Sequence, residues 1–214
     1  MEIIKIERKV LAKNDAVASE NRKQFEDNGV FAVNMVSSPG SGKTSLVEKM
    51  IQHFGGRVNI SVIEGDVQTD LDAQRVGAYN VPVVQIITNG GCHLEANLVR
   101  DSLESLDLVK TDLLIIENVG NLVCPAGYDL GEDLKMVVIS VTEGDDKPLK
   151  YPKMFMNSSM LVINKVDLLP YVNCNIEGLK NNALKINPNL KIFETSCTSG
   201  AGIKELCDHI EKSI

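Results

Sequence analysis

The chain has 214 residues, 43% of them apolar and 24% charged, and its 22 basic against 29 acidic side chains give a net charge of −7. That length suits one compact α/β domain able to bury a full core without staples, and the composition excludes disorder, collagen and coiled coil for the chain as a whole. An acidic chain with no basic run is a poor partner for long nucleic acid, although a single phosphate site needs only local positive potential. Five cysteines, at Cys92, Cys124, Cys174, Cys197 and Cys207, form no CxxC pair and fit reduced thiols in a cytoplasmic protein. The opening MEIIKIERKV alternates charge with apolar residues, unlike a signal peptide, and no run approaches the ~20 apolar residues of a membrane helix.

Residues 10–28 predict a polar, amphipathic helix ending at Gly29, read as a helical extension (1–28) packed on a domain over 29–214. Strands and helices then alternate. Strands are predicted at 30–37, 58–64, 81–87, 113–116, 137–141, 160–163 and 190–194, with helices at 44–54, 69–76, 94–106, 176–186 and 203–210. Short, continuously apolar strands separated by helices indicate βαβ units. The expected fold is an α/β P-loop NTPase: a doubly wound, mostly parallel sheet of about seven strands flanked by helices, with its ligand beyond the carboxyl ends of the strands.

The first strand runs into Ser37-Ser38-Pro39-Gly40-Ser41-Gly42-Lys43-Thr44-Ser45 and then a helix. Gly42, Lys43 and Thr44 match the end of the GxxxxGK[ST] phosphate loop, while Ser37 stands at its first glycine. Small residues from Pro39 to Ser45 let backbone N–H groups curl around phosphates, and the helix N-terminus adds positive potential. Lys43 can reach the β- and γ-phosphates, and the Thr44 hydroxyl can ligate Mg²⁺. A chance Gly/Ser turn is disfavoured by the strand–loop–helix setting.

Asn164-Lys165-Val166-Asp167 ends a later apolar run and resembles the guanine-reading NKxD motif of GTPases. The Asp167 carboxylate can accept hydrogen bonds from guanine N1–H and the exocyclic amine, a donor pair adenine lacks, and the Lys165 stem can lie along the base. Ser196 and Cys197 open a segment placed like the base-touching SAK loop, with Thr198 in place of the usual lysine. Asp66 and Glu117 each follow a strand, where carboxylates facing a triphosphate hold Mg²⁺ directly or through water. Glu117-Asn118-Val119-Gly120 stands in place of DxxG, and the Gly120 N–H can meet the γ-phosphate and relax when it leaves. Lys43, Asp66 and Glu117 are thus the expected catalytic groups. No arginine stands out as a finger, which predicts a slow intrinsic rate.

Thiolate and imidazole ligands suit Zn²⁺ or Ni²⁺, and Cys92, His93 and Cys124 are three candidates where a closed site needs four, so a two-fold dimer could complete the set. Cys124 lies seven residues beyond Glu117, which would tie metal binding to nucleotide state. Cys174, Cys197 and Cys207 read better as small buried hydrophobes. Together, Gly91-Cys92-His93, the stretch Glu117–Pro125, Glu143-Gly144-Asp145-Asp146 and Asn164–Asp167 resemble the HypB family of nickel-insertion GTPases in [NiFe]-hydrogenase maturation, over essentially residues 10–214. The resemblance implies a GTPase of the SIMIBI class that binds GTP and GDP and forms a homodimer favoured by GTP. It implies a Zn²⁺ or Ni²⁺ site at the dimer interface made by Cys92, His93 and Cys124. It also implies a HypA-like zinc/nickel protein and the hydrogenase large subunit as partners. The N-terminal CxxCGC motif and the His-rich tract of some relatives are absent here, so a tight N-terminal nickel site and nickel storage are not expected. The alternative is a urease-accessory GTPase of the UreG kind, disfavoured because Cys124-Pro125-Ala126 lacks the histidine of a Cys-Pro-His motif.

Overall fold

The computed structural model describes residues 6–214, so the first five residues of the expected extension lie outside the described residues. Seven strands form one sheet: β1 (Phe31–Ser37), β2 (Ile60–Asp66), β3 (Val83–Ile87), β4 (Leu113–Gly120), β5 (Leu134–Ser140), β6 (Met160–Asn164) and β7 (Lys191–Glu194). Their spatial order is β3-β2-β4-β1-β5-β6-β7, and every pairing is parallel rather than mostly so. The described helices are α1 (Ile6–Asn28), α2 (Lys43–Phe54), α3 (Leu71–Gly77), α4 (Ala96–Leu103), α5 (Lys147–Lys150), α6 (Pro152–Met156), α7 (Ile176–Ile186) and α8 (Ile203–Glu211).

Strand side chains alternate between two cores, which is why the central strands read as unbroken apolar runs. Val33, Met35, Val62, Ile115 and Val138 face α2 and α8 with Leu46, Met50, Phe54, Leu206 and Ile210. On the other face, Ala32, Ile63, Leu114 and Ile116 meet Phe25, Val99 and Leu103, while Val137, Ile139, Leu161 and Ile163 meet Phe155, Leu179 and Ala183. Each Val, Leu, Ile, Met or Phe side chain among them contributes roughly 1.5–3 kcal/mol on burial. β1 lies at the centre, with β2, β3 and β4 on one side and β5 to β7 on the other, and that reversal opens a crevice beyond its carboxyl end.

Helix α1 is polar, and buried amides pin it. Asn21 Nδ2 donates to the Ala96 and Leu130 carbonyls at 2.9 and 3.0 Å, Asn14 accepts the Ala96 N–H at 2.9 Å, and Arg22 forks onto Asp129. Strand β4 outruns its apolar stretch: pairing continues through Glu117, which stands between Met35 of β1 and Glu64 of β2. Helices α5 and α6, of four and five residues with proline in their first turns, are too short to leave a periodic signature.

Candidate nucleotide and metal site

The loop between β1 and α2 carries Gly40 and Gly42 at φ of 74° and 95°, the left-handed region that glycine adopts without strain. A side chain at Gly42 would also meet Asn164, since a Cβ there would lie 2.5 Å from Asn164 Nδ2. Ser37 needs no such freedom. Its φ is not positive, its hydroxyl donates to the Ser38 carbonyl at 2.6 Å, and it accepts from Lys43 Nζ at 2.9 Å, so serine serves where the pattern has glycine. Helix α2 starts on Gly42 with no side-chain cap, leaving its first N–H groups for a ligand. A cavity of about 200 Å³ at this end is lined by Gly42, Lys43, Thr44, Ser45, Arg75 and Glu117.

Glu117 is only 4% exposed. Its Oε1 accepts from the Thr44 hydroxyl at 2.9 Å and lies 3.7 Å from Lys43 Nζ, while its buried Oε2 has no hydrogen-bond partner among the described residues. Glu64, its register partner on β2, is equally buried. Burial, then the Glu117 charge, pushes the Glu64 carboxyl up to about 10, so Glu64 keeps its proton at neutral pH in the protein free of ligands. Burial also raises Glu117, against the pull of Lys43. Asp66, at the end of β2, is not among the residues that line this cavity. Its Oδ1 accepts from the Gln68 and Thr69 N–H groups at 2.8 Å. Burial alone would raise its carboxyl, but those N–H groups and Lys43 outweigh it and hold the pKa below the ordinary aspartate value.

Sequence reading missed Glu64, which looks like one residue of an apolar strand, and it missed Arg75. The Arg75 guanidinium donates to the Ser45 hydroxyl at 3.1 Å and is held by Glu48 and Asp72 at 3.0 Å, so an arginine does stand at the phosphate cavity. Gly120 packs on Pro39, with room for a Cβ only 3.1 Å from its Cα, so the end of β4 touches the phosphate loop directly.

At the base end, Asn164 Nδ2 donates to the Ser41 carbonyl at 2.9 Å, and Lys165, at φ 62°, places Nζ 2.6 Å from the Gly40 carbonyl. Asn164 Oδ1 accepts from the Thr195 hydroxyl at 3.2 Å and from the Cys197 thiol at 3.6 Å. Ser196 is turned inward, its hydroxyl accepting the Ser199 N–H at 3.0 Å, so it closes the loop that carries Cys197. Asp167 Oδ1 is buried and has no hydrogen-bond partner among the described residues, an acceptor awaiting a donor.

Cys92, His93 and Cys124 converge, with one ligand atom from each lying within 4.8 Å of the others. Cys92 Sγ is 3.5 Å from His93 Nδ1, and His93 Nε2 is 3.9 Å from Glu95 Oε1. Burial lowers the His93 pKa despite Glu95, which keeps the imidazole neutral and able to donate a lone pair at pH 7. The Cys124 thiol, then burial, raises Cys92, so a metal must displace its proton. Two sulfurs and one imidazole fit a borderline-soft divalent ion and leave one tetrahedral position for another ligand. Among the described residues, no helix is long and apolar enough to cross a membrane.

The parallel sheet, the glycine-bearing loop and the uncapped start of α2 define a P-loop nucleotide-binding protein. The pattern of the family described as CobW/HypB/UreG, nucleotide-binding domain, matches residues 31–194. The chain is 50% identical over 210 residues to the hydrogenase maturation factor HypB of Azotobacter vinelandii, covering 98% of this chain and 69% of that protein. It superposes on a crystal structure of HypB from Helicobacter pylori in complex with nickel with a TM-score of 0.90 and 38% identity, covering 94% of each chain. HypB from Archaeoglobus fulgidus gives a TM-score of 0.89 and 40% identity over 94% of this chain and 98% of that one. The chain belongs to the HypB family of hydrogenase maturation factors.

Proposed function

We propose that the protein is a GTP-hydrolysing metallochaperone that carries Ni²⁺ or Zn²⁺ on Cys92, His93 and Cys124 and assists nickel insertion into a hydrogenase. The observation that carries this reading is the continuity of β4: Glu117 contacts Thr44 and Lys43, and the same segment leads seven residues later into Cys124. Residues 29–214 form the GTPase domain, and the extension before it, described from residue 6 to 28, is a helix packed on that domain.

GTP or GDP sits on the N–H groups of Pro39-to-Ser45, excepting proline, with Lys43 on the β- and γ-phosphates and the Gly120 N–H toward the γ-phosphate. Asp167 accepts from guanine, Lys165 lies along the ring, Asn164 ties the base end to the phosphate loop, and Ser196 and Cys197 border the base. Thr44, Glu117 and Asp66 would hold Mg²⁺, which would supply neutralisation of the phosphate charge. A Glu117 carboxylate with Oε1 on the Thr44 hydroxyl and Oε2 without a hydrogen-bond partner among the described residues suits such a hard cation. A second copy of the chain completes the metal coordination in a GTP-favoured homodimer. The client is the large subunit of a hydrogenase, a HypA-like zinc/nickel protein is the exchange partner, and the site of action is the cytoplasm. A urease-accessory role has less support, because position 126 is a buried alanine with no ligand to offer.

The test is titration with Ni²⁺ and with Zn²⁺ in the presence of GDP or a non-hydrolysable GTP analogue, followed by sedimentation velocity. Stoichiometric metal with a dimer favoured by the analogue is expected. A monomer in both nucleotide forms that binds no stoichiometric metal would overturn the reading.

A further inference from the structure

Leu94 follows the metal-site His93 directly, yet two sheet strands hold it in place. Its N–H donates to Asn118 Oδ1 at 3.0 Å, and the same oxygen accepts the Val119 N–H at 3.0 Å. Its side chain is fully buried against Gly65, where a Cβ would lie 2.8 Å from Leu94 Cδ1. Gly65 separates Glu64 from Asp66, and Asn118 is the next residue after Glu117. Leu94 therefore touches both strands whose ends carry the carboxylates of the phosphate site.

The contacts continue into a closed circuit. Asn118 Nδ2 donates to Asn34 Oδ1 at 3.2 Å, and Asn34 Nδ2 donates to Glu132 Oε1 at 3.1 Å. Glu132 pairs with Lys135 at 3.3 Å, and Lys135 Nζ donates to the Tyr128 carbonyl at 2.7 Å. The Tyr128 ring packs tilted against His93 with centroids 4.0 Å apart, which returns the circuit to the metal site. Asn34 and Asn118 are at most 1% exposed, so water cannot replace a contact that stretches.

We propose that Asn118 is the positioning residue through which nucleotide state reaches the Cys92–His93 half of the metal site. This rests on the reading of the protein as a nucleotide-dependent metal carrier. Strand residues alternate faces, so Glu117 points to α2 and the phosphate cavity while Asn118 points to Leu94 on the opposite face. When the end of β4 shifts to accommodate a bound cation and γ-phosphate, Asn118 moves with it. The buried Leu94 N–H must follow or lose its acceptor, at the full cost of an unsatisfied donor. The same strand carries Cys124 by its covalent continuation, so one movement adjusts both halves of the ligand set.

The experiment is Ni²⁺ affinity by chelator competition on the full chain, in the GDP form and in the form bound to a non-hydrolysable GTP analogue, for wild type and Asn118→Ala. Coupled sites typically differ by about 5–150-fold, so the wild-type affinities should differ by about tenfold, and in Asn118→Ala the ratio should fall below about threefold. A residue of purely structural importance would weaken both forms equally and preserve the ratio, and that result overturns the proposal. Equal wild-type affinities in the two forms would overturn the carrier reading, and the proposal with it. Should Asn118→Ala fail to fold, amide exchange at Leu94 in the wild-type protein decides. Protection that differs between the nucleotide forms is expected, and identical protection alongside nucleotide-dependent Ni²⁺ affinity overturns the proposal.

Discussion

Glu64→Gln probes the proton held at the centre of the phosphate site. In the protein free of nucleotide and metal, burial and Glu117 push Glu64 from 4.5 up to about 10. The folded chain keeps this proton, whereas the unfolded chain sheds it once pH passes the ordinary glutamate value. The folded state thus binds more protons, and stability falls as pH rises from about 4.5 to about 10. Each pH unit in that window costs about 1.4 kcal/mol, so the loss reaches about 3 kcal/mol at pH 7. Glutamine keeps the size and the hydrogen-bonding atoms but does not titrate. The variant should match wild type within about 1 kcal/mol near pH 5 and exceed it by about 3 kcal/mol at pH 7, or about 6–12 °C in melting midpoint for a chain of this size. Urea unfolding and thermal melts of chelator-treated, nucleotide-free protein from pH 5 to 8 provide the measurement. A gap that stays constant across that range would show that Glu64 does not carry the proton, and the reasoning would fail.

Asp167→Asn should weaken GTP by about 10–100-fold, the loss of charge-assisted hydrogen bonds to the base, and should favour xanthine nucleotides because the donor and acceptor pattern inverts; unchanged GTP affinity in a fluorescent-nucleotide titration would sink the guanine assignment. Lys43→Ala should lower single-turnover GTP hydrolysis by at least ~10²-fold, the typical cost of losing one preorganised donor, and retained turnover would mean the phosphate loop is misread. Cys124→Ala should lose stoichiometric Zn²⁺ or Ni²⁺ in equilibrium dialysis, and full binding in that variant would locate the site elsewhere.

What the sequence made legible was local. The apolar runs became strands, and the Pro39-to-Gly42 segment became the turn its small residues suggest, because backbone conformation there depends on adjacent residues. Glu64 escaped because the significance of a carboxyl inside an apolar strand lies in its neighbour. Only the β2–β4 pairing reveals that neighbour as Glu117. Arg75 escaped for the same reason, since α3 brings it to Ser45 and Glu48 of α2 across a long stretch of chain. The end of β4 was read short because Glu117 and Asn118 are polar. They remain strand because each finds a buried partner, Glu117 the Thr44 hydroxyl and Asn118 the Asn34 amide. The trio of Cys92, His93 and Cys124 came from donor chemistry and family resemblance, and its convergence depends on loops at two separate strand ends.

The cations around the phosphate cavity are already engaged by the protein. Lys43 bonds Ser37 and lies beside Glu117, Lys165 bonds the Gly40 carbonyl, and Arg75 is held by Glu48 and Asp72. A triphosphate that draws Lys43 to itself leaves Glu117 buried beside new negative charge, and an uncompensated buried charge costs about 3–5 kcal/mol. A Mg²⁺ ion held by Glu117 and Thr44 would supply the compensating charge in place of Lys43. Chelation of Mg²⁺ should therefore weaken GTP binding to wild type by at least ~10²-fold. Glu117→Gln has no charge to strand, so its GTP affinity should change less than about tenfold when Mg²⁺ is removed. Calorimetric titrations of both proteins with and without chelator measure the two ratios. An equally steep Mg²⁺ dependence in Glu117→Gln would show that the cation acts only on the phosphates and that the exchange of partners at Glu117 does not occur.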